Sequence, residues 1–168
     1  EFLMLKYCCS KYKNIKRGRN MMKDLIKQTN NYLANIGVMY IKLHNLHWNV
    51  VGPSFKQVHE YLETLYDYFA TILDEVAEFI KMDEAYPLAS LSEFNECATI
   101  PDIDSVDYRV EDALAILLDD IKTLKAQASV VRTFTDKVDK FQLGNMIEDQ
   151  ICEYDKMIWF ITSMKKLI

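Results

Sequence analysis

LHNLHWNVVGPSFKQVHEYLETLYDYFATILDEVAE, residues 43–78, carries two helical patterns broken by a single tight turn. Upstream of the turn, Leu25, Tyr32, Leu33, Ile36, Met39, Tyr40 and Leu43 recur at three- and four-residue steps, which predicts a helix from about Met22 to Val50. Gly52-Pro53 ends it, because proline cannot continue the hydrogen-bond ladder. Ser54 followed by Gln57 reads as a capping box for a second helix, whose apolar face runs from Phe55 through Leu62 and Phe69 to about Met82. So short a turn makes the two helices antiparallel neighbours.

The rest of the chain repeats the pattern. Residues 84–104 are irregular, with Pro87 and Pro101 as breaks and a short helix expected around Leu91–Cys97. A third helix is expected from Asp104 or Ser105 to about Thr133, and a fourth from about Gln142 to Lys166. The long connection after the second helix is enough to cross a bundle, so the expected fold is an all-α four-helix bundle with one crossover. Four Gly and three Pro in 168 residues are too few for an all-β fold with its many turns.

The net charge of −5 is unevenly spread. Residues 1–20 hold six basic residues against Glu1, while residues 21–168 hold fourteen basic and twenty-four acidic ones. The body suits cations better than nucleic acid. Residues 1–20 read either as a basic arm or as sequence upstream of a native start at Met21 or Met22. Cys8, Cys9, Cys97 and Cys152 show no CxxC spacing, which favours a reducing cytosol, with Cys97 and Cys152 as small core residues. No apolar run approaches a membrane span, and the first segment lacks the order of a signal peptide.

All three histidines, His44, His47 and His59, fall within 16 residues, and acidic residues follow on the second helix. Imidazole with carboxylate is a ligand set for iron or zinc. His59 with Glu63 and Asp74 with Glu78 are i,i+4 pairs, each on one face. Glu63 to Asp74 is 11 steps, about 1100° of turn and within about 20° of eclipsed, so all four lie on one stripe. His59 and Asp74 are nonetheless about 22 Å apart along the axis, whereas metal ligands sit about 2–2.5 Å from the ion. Two copies of the second helix, antiparallel across a two-fold axis near Tyr68–Phe69, would reconcile the distances. His47 would complete the histidine side. Glu60, Asp67 and Glu75 fall off the stripe and read as a solvated face, and His44 reads as structural.

The same stretch resembles the ferroxidase signature of the Dps-type miniferritins: the HW pair, the G-x-x-F turn, the HE that follows and D-x-x-x-E. The family's ligand spacing is met by His47, His59, Glu63, Asp74 and Glu78, and DKMIWF, residues 155–160, is similar to its fourth-helix motif. The resemblance covers about Lys23–Ile168. It implies a ferritin-like bundle in a dodecameric shell, iron sites at two-fold interfaces, and Fe(II) oxidation by hydrogen peroxide or dioxygen with ferric mineral stored inside. It implies a radical-quenching role for Trp48, against which ordinary packing is the preferred reading. It also implies an acidic entry pore from Glu148, Asp149 and Glu153, against which stands plain surface charge. Phe79 stands where the family usually has Arg. A DNA-coating protein using the basic arm is the alternative of the same fold. An intrasubunit di-iron oxidase would need E-x-x-H motifs, which are absent, and a metal-free helical interaction protein leaves the spacing unexplained.

Overall fold

The computed structural model describes the backbone of residues 2–166 and the side chains of residues 18–166. Its elements are α1 (Phe2–Asn49), β1 (Val50–Val51), α2 (Phe55–Met82), α3 (Leu91–Cys97), β2 (Tyr108–Arg109), α4 (Val110–Asp136) and α5 (Phe141–Lys165). α1 pairs with α2 and α4 with α5, and their apolar stripes meet in one core that includes Leu33, Ile36, Leu62, Phe69, Leu117 and Ile147. The expected four-helix bundle with its crossover is what the chain forms.

Three asparagines on α1 guide that crossover. Asn30 holds Tyr86 and Leu88, buried Asn35 accepts from the amides of Thr99 and Ile100, and Asn45 donates to the carbonyls of Ile103 and Asp104. These anchors climb α1 in order, spanning about 22 Å at 1.5 Å per residue. α3 lies against α1 on the way. A Cβ on Gly37 would fall 2.6 Å from the Phe94 ring, so the approach requires glycine there.

Buried polar contacts tie the pairs together. Lys42 Nζ meets Asp120 Oδ2 at 2.7 Å between α1 and α4, with the two side chains 1% and 9% exposed. The Tyr32 hydroxyl donates to Gln150 Oε1 at 2.8 Å and lies 2.5 Å from the Tyr154 hydroxyl, joining α1 to α5. Burial drives the pKa of both phenols upward, so they stay protonated.

Several expectations are corrected. α1 starts at Phe2 instead of Met22, because residues 2–21 contain no proline and are rich in good helix formers. The contacts of that basic stretch lie outside the described side chains. Ser54 forms no capping box: it sits in the left-handed region with φ 64° and makes no side-chain cap bond. The capping box forms at Ser90 and Glu93, and the bond from Ser90 leads the causes that lower the Glu93 pKa. α4 starts at Val110 instead of Asp104, because Tyr108–Arg109 pair in parallel with Val50–Val51 and hold the chain extended. Cys152 is exposed and Cys97 half-buried, so neither is a core residue.

Candidate metal centre

The centre starts from the α1–α2 turn. Gly52 takes φ 108° and Ser54 φ 64°, reversing the chain within a few residues and laying the first turns of α2 against the last turn of α1. His47, 8% exposed, then faces His59. His47 Nδ1 donates to the His59 carbonyl at 2.9 Å, and His59 Nδ1 donates to the His47 carbonyl at 2.9 Å. The rings stack with centroids 3.7 Å apart and planes 21° from parallel. The His47 carbonyl belongs to the last turn of α1, where helical partners run out, so the His59 ring satisfies it.

This reciprocal clamp sets the chemistry. A carbonyl oxygen only accepts, so each Nδ1 carries a proton, and Nε2 is the nitrogen left over for any further ligand. Metal-binding histidines are held in the same way, with the second nitrogen tied to a carbonyl or carboxylate.

Glu63, one turn beyond His59 on α2, is exposed, as are Asp74 and Glu78 near the far end of the helix. The structure brings His47 and His59 together and leaves Asp74 about 22 Å and Glu78 about 28 Å from His59 along the helix. Among the described residues, no three His, Cys, Asp or Glu side chains converge within one chain. The histidine pair and the Asp74/Glu78 pair thus stand at opposite ends of α2.

The neighbours sort themselves further. His44 bonds through Nδ1 to the Tyr40 carbonyl at 3.0 Å and packs on Tyr66 at 4.1 Å between centroids. Trp48 is 70% exposed and touches the His44 ring edge-on, so it does not pack in the subunit core. Glu60 pairs with Lys56, as a solvated face would. Phe79 is half-buried and packs against the core.

Of the fourth-helix acids, Glu148 is engaged by Arg132 at 2.5 Å. Asp149 and Glu153 instead join Glu75 and Glu78 along a groove of about 470 Å³ between α2 and α5. Burial raises the Tyr68 pKa there, and the charges of Glu153, Glu75 and Asp149 add to it. Sequence reasoning missed this groove, since Glu75 lies off the ligand stripe and its partners come from a helix about 75 residues later. It also did not single out Tyr66, whose ring packs against both His44 and His47.

A sequence model of the ferritin family, described as a ferritin-like domain, matches residues 26–168. A DNA protection during starvation protein from Brevibacillus brevis is 30% identical over 145 residues, covering 83% of this chain and 97% of that protein. The chain is a Dps-type member of the ferritin-like family. Among solved structures, antigen TpF1 from Treponema pallidum superposes on this Dps-type chain with TM-score 0.85 at 28% identity, covering 88% of this chain and 94% of that one. The Dps protein from Vibrio cholerae O1 does so with TM-score 0.81 at 27% identity, covering 86% and 91%. That protein is described as a member of a broad superfamily of ferritin-like diiron-carboxylate proteins. No helix among the described residues is long and apolar enough to cross a membrane.

Proposed function

We propose that this Dps-type chain oxidises Fe(II) and stores the ferric product inside a homo-oligomeric shell, a dodecamer in the cytosol, protecting against oxidative damage. The observation that carries this is the His47–His59 clamp, which ties down both Nδ1 atoms and leaves both Nε2 atoms outside those bonds. Across a two-fold axis, His47, His59 and Glu63 of one subunit would face Asp74 and Glu78 of its partner. Imidazole holds Fe(II), and the carboxylates supply hard oxygen donors that favour Fe(III) and offset its charge. With hydrogen peroxide, two ferrous ions give up one electron each, and the peroxide takes two protons and leaves as two waters. No hydroxyl radical is released when the electrons leave as a pair.

The acidic groove by Glu75, Asp149 and Glu153 supports this reading as a place where cations gather on their way to storage. The acidic body opposes a primary DNA-coating role, and removal of iron and peroxide protects DNA without contact. Anaerobic Fe(II) titration followed by a peroxide pulse tests the proposal, on the wild type and on His47→Ala/His59→Ala, with the oligomer mass recorded. Peroxide-dependent oxidation lost in the variant while assembly persists is the expected result. A shell that oxidises iron no faster than buffer would overturn it.

A further inference from the structure

Phe55 opens α2, four residues before His59, so the two side chains share one face of the helix. Their rings lie 5.1 Å apart between centroids, with planes 33° from parallel. His59 already stacks on His47 at 3.7 Å. Among the described residues Phe55 makes no ring contact with His47, so it approaches His59 from the side that His47 leaves open. The backbone of Phe55 is pinned as well. Its amide donates to the Gly52 carbonyl at 3.1 Å, closing the turn in which Gly52 takes φ 108°. Yet Phe55 is 43% exposed and stands outside the hydrophobic core. Its one ring contact among the described residues is with His59.

We propose that Phe55 is a positioning residue of this centre: its ring closes the outer side of His59 and, with His47 on the other, holds the imidazole at a fixed tilt. The inference rests on His47 and His59 being ligands, and adds what orients the less buried of the two. The bond from His59 Nδ1 to the His47 carbonyl fixes one point of the ring. The last torsion of a histidine side chain is broad, so the ring can still rock about that point. A rocking ring must be stilled when a metal binds, which costs affinity. Two flat neighbours restrict the rocking beforehand, and aromatic pairing adds a modest attraction that favours one tilt. His47 needs no such plate, being 8% exposed and met perpendicularly by the Tyr66 ring at 5.3 Å.

The decisive experiment is anaerobic Co(II) titration of the assembled full-length protein, read by visible absorption, whose bands report the ligand geometry around the ion. Phe55→Leu keeps an apolar side chain and removes the flat ring. Its expected effect is a Co(II) affinity about 3- to 10-fold weaker with altered bands, at unchanged melting temperature and oligomer mass. Phe55→Tyr restores the ring and is expected to recover both affinity and spectrum. His59→Ala is the reference for the underlying assignment. If His59→Ala weakens Co(II) binding but Phe55→Leu leaves affinity and bands as in the wild type, the positioning role is refuted and the ligand assignment stands. A Phe55→Tyr variant as impaired as Phe55→Leu would also refute it, since the ring would not be what matters. So would loss of assembly in Phe55→Leu, which would make the ring a support of the shell. If His59→Ala binds Co(II) as the wild type does, both assignments fall together.

Discussion

Replacing Lys42 by methionine keeps the volume of the aliphatic stem and removes the cation that faces Asp120. The pair is deeply buried, at 1% and 9% side-chain exposure, and its contact is 2.7 Å. Stripping one partner from a buried ion pair costs about 3–5 kcal/mol, because the remaining charge keeps its desolvation penalty. That is a large share of the roughly 5–15 kcal/mol that holds a domain together. For a chain of this size it corresponds to a fall in melting temperature of about 6–20 °C. The loss has a pH signature. Burial already raises the Asp120 pKa in the folded protein, against the lowering effect of Lys42. Without Lys42 the folded pKa rises further above the unfolded value, so the folded state binds the extra proton. Stability of the variant then decreases as pH climbs from the unfolded to the folded pKa, by up to about 1.4 kcal/mol per unit. Urea unfolding at fixed subunit concentration, from pH 5 to pH 8, should show the deficit of Lys42→Met growing with pH. Lys42→Met/Asp120→Leu should recover most of it. A deficit under about 1 kcal/mol, or one flat across that range, would refute the reasoning.

Other outcomes are specific to single sites. Ser54→Gly should leave stability unchanged or raise it by up to about 1 kcal/mol in thermal unfolding, since φ 64° strains serine and no cap bond is lost. Gly37→Ala should lose about 1–3 kcal/mol to overpacking against Phe94, offset by about 1 kcal/mol of helix propensity. Faster amide exchange confined to α3 and its contacts would locate that loss; a net gain in stability would mean Phe94 gives way freely. Asp149→Asn/Glu153→Gln should let the Tyr68 phenol ionise at lower pH, read from phenolate absorbance, while burial keeps its pKa above the usual tyrosine value.

Punctuation and periodicity made most of the bundle legible. Gly52-Pro53 marked the turn, Pro87 and Pro101 bracketed the crossover, and the α2 stripe carried its own length. What failed depended on distant partners. The start of α4 is set by Val50 and Val51, which pair with Tyr108 and Arg109 across more than fifty residues, and nothing near Asp104 encodes that. Ser54 matched the capping pattern, but the same residue closes the tight turn in a left-handed conformation, and a cap needs extended backbone. In the centre, the histidine spacing picked out His47 and His59, and the structure sets them side by side. The bonds that orient them go to backbone carbonyls, which every residue has, so no side-chain pattern could announce the clamp. Glu148 and Asp149 are adjacent in sequence yet part company, because Arg132 engages one and the groove takes the other.

The reciprocal clamp also constrains how the chain can vary in length. Both bonds join residues twelve positions apart through the same turn, so adding or removing one residue between Asn49 and Phe55 rotates α2 by about 100° and breaks the two together. Surface turns ordinarily absorb insertions with little cost. The crossover can do so: extra residues between the Asn35 and Asn45 anchors could bulge outward without moving any anchor. The α1–α2 turn cannot, and its length is not free to drift.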